Sequence, residues 1–147
     1  MGLWDWTLGA YGRPGVAEAC LRLQDEYGQM TSFLLWAVWA ETTDAELLQR
    51  ASDVARRWDG LALAPIRAVR RALKPAFDGV PDGAREGLRE DVKAAELRAE
   101  RVLMESLEAV TPGQGGRPAL QALQAASAAW GTPAPDGALA ELAAALS

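Results

Sequence analysis

The chain has 147 residues, half of them apolar, a formal net charge of −5, one cysteine and no histidine. An internal disulfide, a thiolate zinc cluster and a thiol redox pair are therefore excluded, and the usual general base near neutral pH is missing. Alanine and leucine supply 50 residues against 9 for valine and isoleucine, which favours helix over strand because β-branched side chains lose rotamer freedom in a helix.

The length suits one domain that closes a hydrophobic core without covalent help. The pattern predicts an all-α fold, a compact bundle of six to eight helices around a central apolar helix at about residues 32–41. The first helix spans Leu3 to Gly12, with Trp4, Leu8 and Tyr11 on one stripe taken as inward. The second, about Gly15 to Tyr27, places Val16, Cys20, Leu23 and Tyr27 together, and Gly28 suits its C-terminal cap. Cys20 on that stripe reads as a packed, inert thiol. Thr31 or Ser32 can cap the third helix, Phe33 to Ala40, which is apolar all round and so must be enclosed by other helices.

A capping box, Thr43 to Glu46, opens a fourth helix that carries Leu47, Leu48, Ala51, Val54 and Ala55 and breaks at Asp59-Gly60. The fifth begins near Ala64-Pro65, turns Ile66, Val69 and Leu73 inward, and stops at Pro75. The turn-rich stretch 78–83 leads into the longest helix, about Ala84 to Val110, whose inward seam reads Leu88, Val92, Ala95, Ala99, Val102, Ser106 and Val110. Residues 111–118 read as a Gly/Pro linker between a core at 1–110 and a C-terminal helical pair at 119–147. Leu120, Leu123, Trp130, Leu139, Leu142 and Leu146 dock that pair on the core, giving a single domain overall, with docking onto another subunit as the second reading.

The opening block has Leu3-Trp4-Asp5-Trp6, Tyr11, Arg13-Pro14-Gly15-Val16-Ala17-Glu18-Ala19-Cys20-Leu21 and Leu23-Gln24-Asp25. With the apolar helix that follows, it resembles a small proteobacterial family of conserved proteins of unknown function. The resemblance covers about residues 3–40 closely and extends to about Lys74. It implies a compact helical cytoplasmic protein and brings no catalytic residues with it.

Three groups of residues could act. Arg67, Arg70, Arg71 and Lys74 follow i, i+3, i+4, i+7 spacing, a stripe about 100° wide. Arg56 and Arg57 precede it, so the region suits an anion or an acidic partner; a solvated or internally paired face is the structural alternative. Trp36 and Trp39 could line a pocket for a flat ligand, with Asp25 or Glu41 as its polar group; plain core packing is the alternative. The bundle type of diiron site is impossible without histidine, and no phosphate loop or nucleophile elbow occurs. No metal or cofactor is expected.

No basic segment followed by an apolar run opens the chain, and Phe33 to Ala40, the longest apolar run, is far short of the roughly 20 residues of a membrane span. A cytoplasmic, non-enzymatic protein is expected, binding a macromolecular partner, most naturally a protein, through its basic helix face. The negative net charge disfavours nucleic acid and membrane. A Trp-lined small-molecule site is the rival reading, and a homodimer is a third.

Overall fold

The computed structural model describes residues 1–147 and contains eight α-helices and no strand. They are α1 (Leu3–Tyr11), α2 (Val16–Tyr27), α3 (Thr31–Ala40), α4 (Ala45–Trp58), α5 (Ala64–Ala72), α6 (Asp82–Ala109), α7 (Ala119–Trp130) and α8 (Asp136–Leu146). The expected helical bundle is what forms, with α3 at its centre.

Helix α3 buries Phe33, Leu34, Leu35, Trp36, Ala37 and Ala40. It touches α1, α2, α4, α6 and, most extensively, α7. A helix apolar on every side loses the least free energy where every side meets another helix, at about 25 cal/mol for each Å² of apolar surface withdrawn from water. Its buried polar atom is satisfied, since the Trp36 indole N–H donates to Thr111 Oγ1 at 2.8 Å. The Trp36 ring stacks on Phe33 at 5.5 Å, and Phe33 in turn meets Trp130 of α7 at 5.5 Å. Neither Thr31 nor Ser32 caps the helix; Met30 holds the cap position and no side chain closes the N-terminal turn.

The C-terminal end of α3 is closed by the connection between α6 and α7. The chain leaves α3 at Glu41, the one non-glycine residue with positive φ (50°). There the N–H of Gly115 donates to Ala40 O at 2.9 Å and that of Arg117 to Glu41 O at 3.0 Å. Gln114 Nε2 adds a bond to Trp39 O at 3.2 Å. Residues 111–118 thus run as a strap that satisfies carbonyls a helix end leaves free. Gly115 is required by close approach: a Cβ there would stand 2.5 Å from Glu41 O. The strap delivers α7 to α3 and α4, and α8 to α2 and α7.

Several local expectations are corrected, among them Val69, expected inward on α5 and found exposed. On α1 the buried face is Leu3, Thr7 and Ala10, while Leu8 and Tyr11 stay exposed and Trp4 is half-buried. Both sets repeat at i, i+4, i+7, and the smaller set lets α1 lie closer to its neighbours. Its N-terminus is pinned by Glu108, which accepts the Leu3 N–H at 2.6 Å.

The break expected at Asp59-Gly60 is instead a π-helical turn, Asp59–Leu63, that carries α4 onward into α5. Pro65 has no N–H to give and its ring crowds the carbonyl four residues back, and a widened turn is a local way to absorb both. The cap of α4 is Asp44, whose carboxylate accepts from Leu47 N at 2.8 Å, one residue later than the box predicts.

On α6 the buried residues are Arg85, Ala99, Leu103, Met104 and Leu107. Leu88, Ala95 and Val102 of the expected seam lie exposed. The larger Leu and Met side chains bury more apolar area than the Ala and Val seam, so they set the phase.

The contiguous core contains no fully buried residue between Leu63 and Ala99. Helix α5 itself buries none, and it packs on the π turn and α6. α5 and the front half of α6 therefore form a hairpin arm outside the main core. Arg85 ties it together: its guanidinium donates to Leu73 O at 3.1 Å, to Asp82 at 2.7 Å and to Glu86 at 2.8 Å.

Candidate interaction surface

Arg56 and Arg57 lie on α4, Arg67, Arg70 and Arg71 on α5 and Lys74 just after it, and the fold gives the six cations different environments. Arg67 and Arg70 turn toward α6 and share the largely buried carboxylate of Glu96, at 3.5 and 2.5 Å. Two guanidiniums on one carboxylate make this an internal clamp between the arm's two helices, with charge-assisted bonds that hold register. Arg56 lies over the Trp130 ring at 4.1 Å and also donates to the Trp130 carbonyl, which fastens α4 to α7. Arg57, Arg71 and Lys74 are exposed and enter no ion pair.

Apolar side chains accompany the free cations. Val69 on α5, Phe77 and Val80 in the turn that follows, and Leu88 on α6 are all exposed, Phe77 at 69%. A solitary exposed leucine or valine is ordinary. A largely exposed phenylalanine in the turn that directly follows Arg71 and Lys74 combines an aromatic anchor with positive charge.

The aromatic candidates are dispersed. Trp36 is fully buried, with its ring stacked on Phe33. Trp39 is half-buried at the rim, its indole N–H donating to Met1 O at 3.2 Å. Trp39 and Glu41 border a shallow surface groove of about 440 Å³. Asp25 is exposed on α2 and does not join them. A more recessed cleft, about 420 Å³, opens at the opposite end of α3 beside Trp4, Tyr11 and Glu100.

Cys20 is buried, and desolvation pushes its thiol up to about 11, so it stays protonated and unreactive near neutral pH. No three Cys, Asp or Glu side chains cluster closely enough to hold a metal ion. No helix is long and apolar enough to cross a membrane.

Two functional features were not found in the sequence. Arg85 has a local signal, acids at i−3 and i+1, but nothing in that spacing tells a buried staple from a solvated pair. Glu100 sits in a charged stretch of α6, and only the fold shows that it faces a cleft.

Residues 2–107 match the sequence profile of a family described as proteins of unknown function (DUF2390). The chain belongs to this family. The match runs through α6, well past Lys74, and leaves out α7 and α8. No curated protein and no solved structure matches the chain.

Proposed function

We propose that this member of the family is a non-enzymatic interaction module that docks a protein partner on its hairpin arm. The observation that carries this reading is the unequal treatment of the cations. Arg67 and Arg70 both pair with Glu96, whereas Arg71 and Lys74, like Arg57 on α4, enter no ion pair, and Phe77 stands exposed close by in the chain. The partner surface that fits is acidic with an apolar recess. Aromatic anchors and arginines dominate protein interfaces, and rim charges chiefly set association rate and salt sensitivity. A net charge of −5 on the chain favours an acidic protein segment met locally over wholesale binding of nucleic acid.

The test is quantitative capture from the native host by the full chain, by Arg71→Glu/Lys74→Glu, and by Phe77→Ser. Glu141→Gln, far from the arm in sequence, is the control. A protein retained by the parent and the control but lost from both arm variants, with helical circular dichroism unchanged, supports the reading. Capture that survives both variants refutes the site. Capture abolished by nuclease treatment refutes a protein partner.

A further inference from the structure

The stripe Trp4, Leu8 and Tyr11 on α1 is left out of the core and forms one side of the recessed cleft. Leu97 of α6 and Trp130 of α7 continue the apolar lining. About 420 Å³ of space lies within the range of small-molecule sites, and the lining is divided about evenly between apolar side chains and polar ones, among them Thr7, Gln29, Asp59, Arg67 and Glu100.

The charged groups in the cleft do not balance. Glu100 from α6 and Asp59 from the π turn both line it. Arg67 lines the cleft too, but both it and Arg70 pair with Glu96, and neither bonds Glu100, so two carboxylates in the lining face one guanidinium that Glu96 already shares. Glu100 is left half-buried beside a like charge, with no donor from the protein. Burial, followed by repulsion from Glu96, raises its pKa despite the opposing pull of Arg67 and Arg70. A carboxylate partly withdrawn from water and given no donor by the protein is disfavoured in its charged form, and a cationic donor entering the cleft would relieve that cost.

We propose that this cleft binds a small organic ammonium compound, its apolar or aromatic body against Trp4, Leu8 and Leu97 and its charged nitrogen on Glu100, with Asp59 as the second acidic group. An aromatic lining suits such a ligand, since the indole faces attract cations as well as apolar surface. A neutral ligand of the same shape leaves the carboxylate unanswered, and an anion meets two carboxylates against one guanidinium already paired with Glu96.

Three probes of matched shape test this on the full chain: phenethylammonium, 2-phenylethanol and phenylacetate, each titrated at millimolar concentration while indole N–H signals are followed by NMR. Phenethylammonium shifts the Trp4 and Trp130 signals, binds at least tenfold more tightly than 2-phenylethanol, and is not matched by phenylacetate. Glu100→Gln weakens phenethylammonium binding at least tenfold and leaves 2-phenylethanol unchanged. The same variant unfolds at a urea concentration equal to or above that of the parent, because it removes an unanswered carboxylate. Asp59→Asn weakens phenethylammonium binding by a smaller factor and serves as the second variant. Absence of phenethylammonium binding, equal affinity for the neutral alcohol, unaltered binding by Glu100→Gln, or a marked loss of stability in that variant overturns the proposal.

Discussion

Replacing Gly115 by alanine probes the junction on which the central helix depends. The added Cβ would lie 2.5 Å from Glu41 O and 3.4 Å from Glu41 C, both backbone atoms that cannot swing aside as a side-chain tip can. The strap must move outward, which breaks the bonds from Gly115 N to Ala40 O and from Arg117 N to Glu41 O. Each such bond contributes about 0.5–1.5 kcal/mol net, so the expected loss is about 2 kcal/mol. In a chain of this size that lowers the melting temperature by roughly 4–8 °C. Gly113→Ala is the matched control, since nothing lies within 4 Å of a Cβ there and its φ is not positive. It is expected to be neutral or to stabilise by less than about 1 kcal/mol through reduced freedom of the unfolded chain. Urea unfolding followed by circular dichroism reads both. Equal stability of Gly115→Ala and the parent, or equal damage from the two substitutions, would refute the strap argument.

Other predictions concern the core. Thr111→Val removes the acceptor of the Trp36 indole N–H and is expected to cost about 1–3 kcal/mol, with a change in near-ultraviolet circular dichroism. Cys20 has a raised pKa in the folded chain, so the native state holds its proton more tightly than the unfolded one. Stability therefore falls as pH rises from about 9 toward 11, and Cys20→Ala should flatten that decline in urea titrations at stepped pH. A version ending after Thr111 removes α7 from α3 and α4 and α8 from α2. Although it retains the whole family match, it is expected to lose cooperative thermal unfolding and to aggregate in light scattering.

Much of the bundle was legible because its core helices carry unambiguous patterns. Helix α3 has no polar side between Phe33 and Ala40, so enclosure is its only stable placement. Helix α2 has one stripe, and Val16, Cys20 and Leu23 are buried as the spacing requires. Helices α1 and α6 were harder because each carries two competing stripes. Periodicity finds a face without saying which neighbour will claim it. On α1, Thr7 and Ala10 go inward and the aromatic stripe Trp4, Leu8 and Tyr11 is left to the cleft.

The same limit applies to the candidate sites. Spacing placed Arg67, Arg70, Arg71 and Lys74 along one basic region, yet the division between clamped and free cations depends on Glu96, at least 22 residues further along. Trp36 and Trp39 stand three residues apart, a spacing that suits a pocket wall, but the apolar helix that carries them is enclosed by five others and Trp36 is fully buried. The cleft brings together Trp4, Asp59, Glu100 and Trp130 from four separate segments, an assembly that no local pattern encodes.

The division between a solid body and an outlying arm is tested most directly by native-state hydrogen exchange along the full chain. Amides of α3 and α7 are expected to exchange last, only through global unfolding. Those of α5 and the front half of α6, which lie outside the main core, are expected to exchange first through local opening. Exchange from α5 as slow as that from α3 would contradict the account.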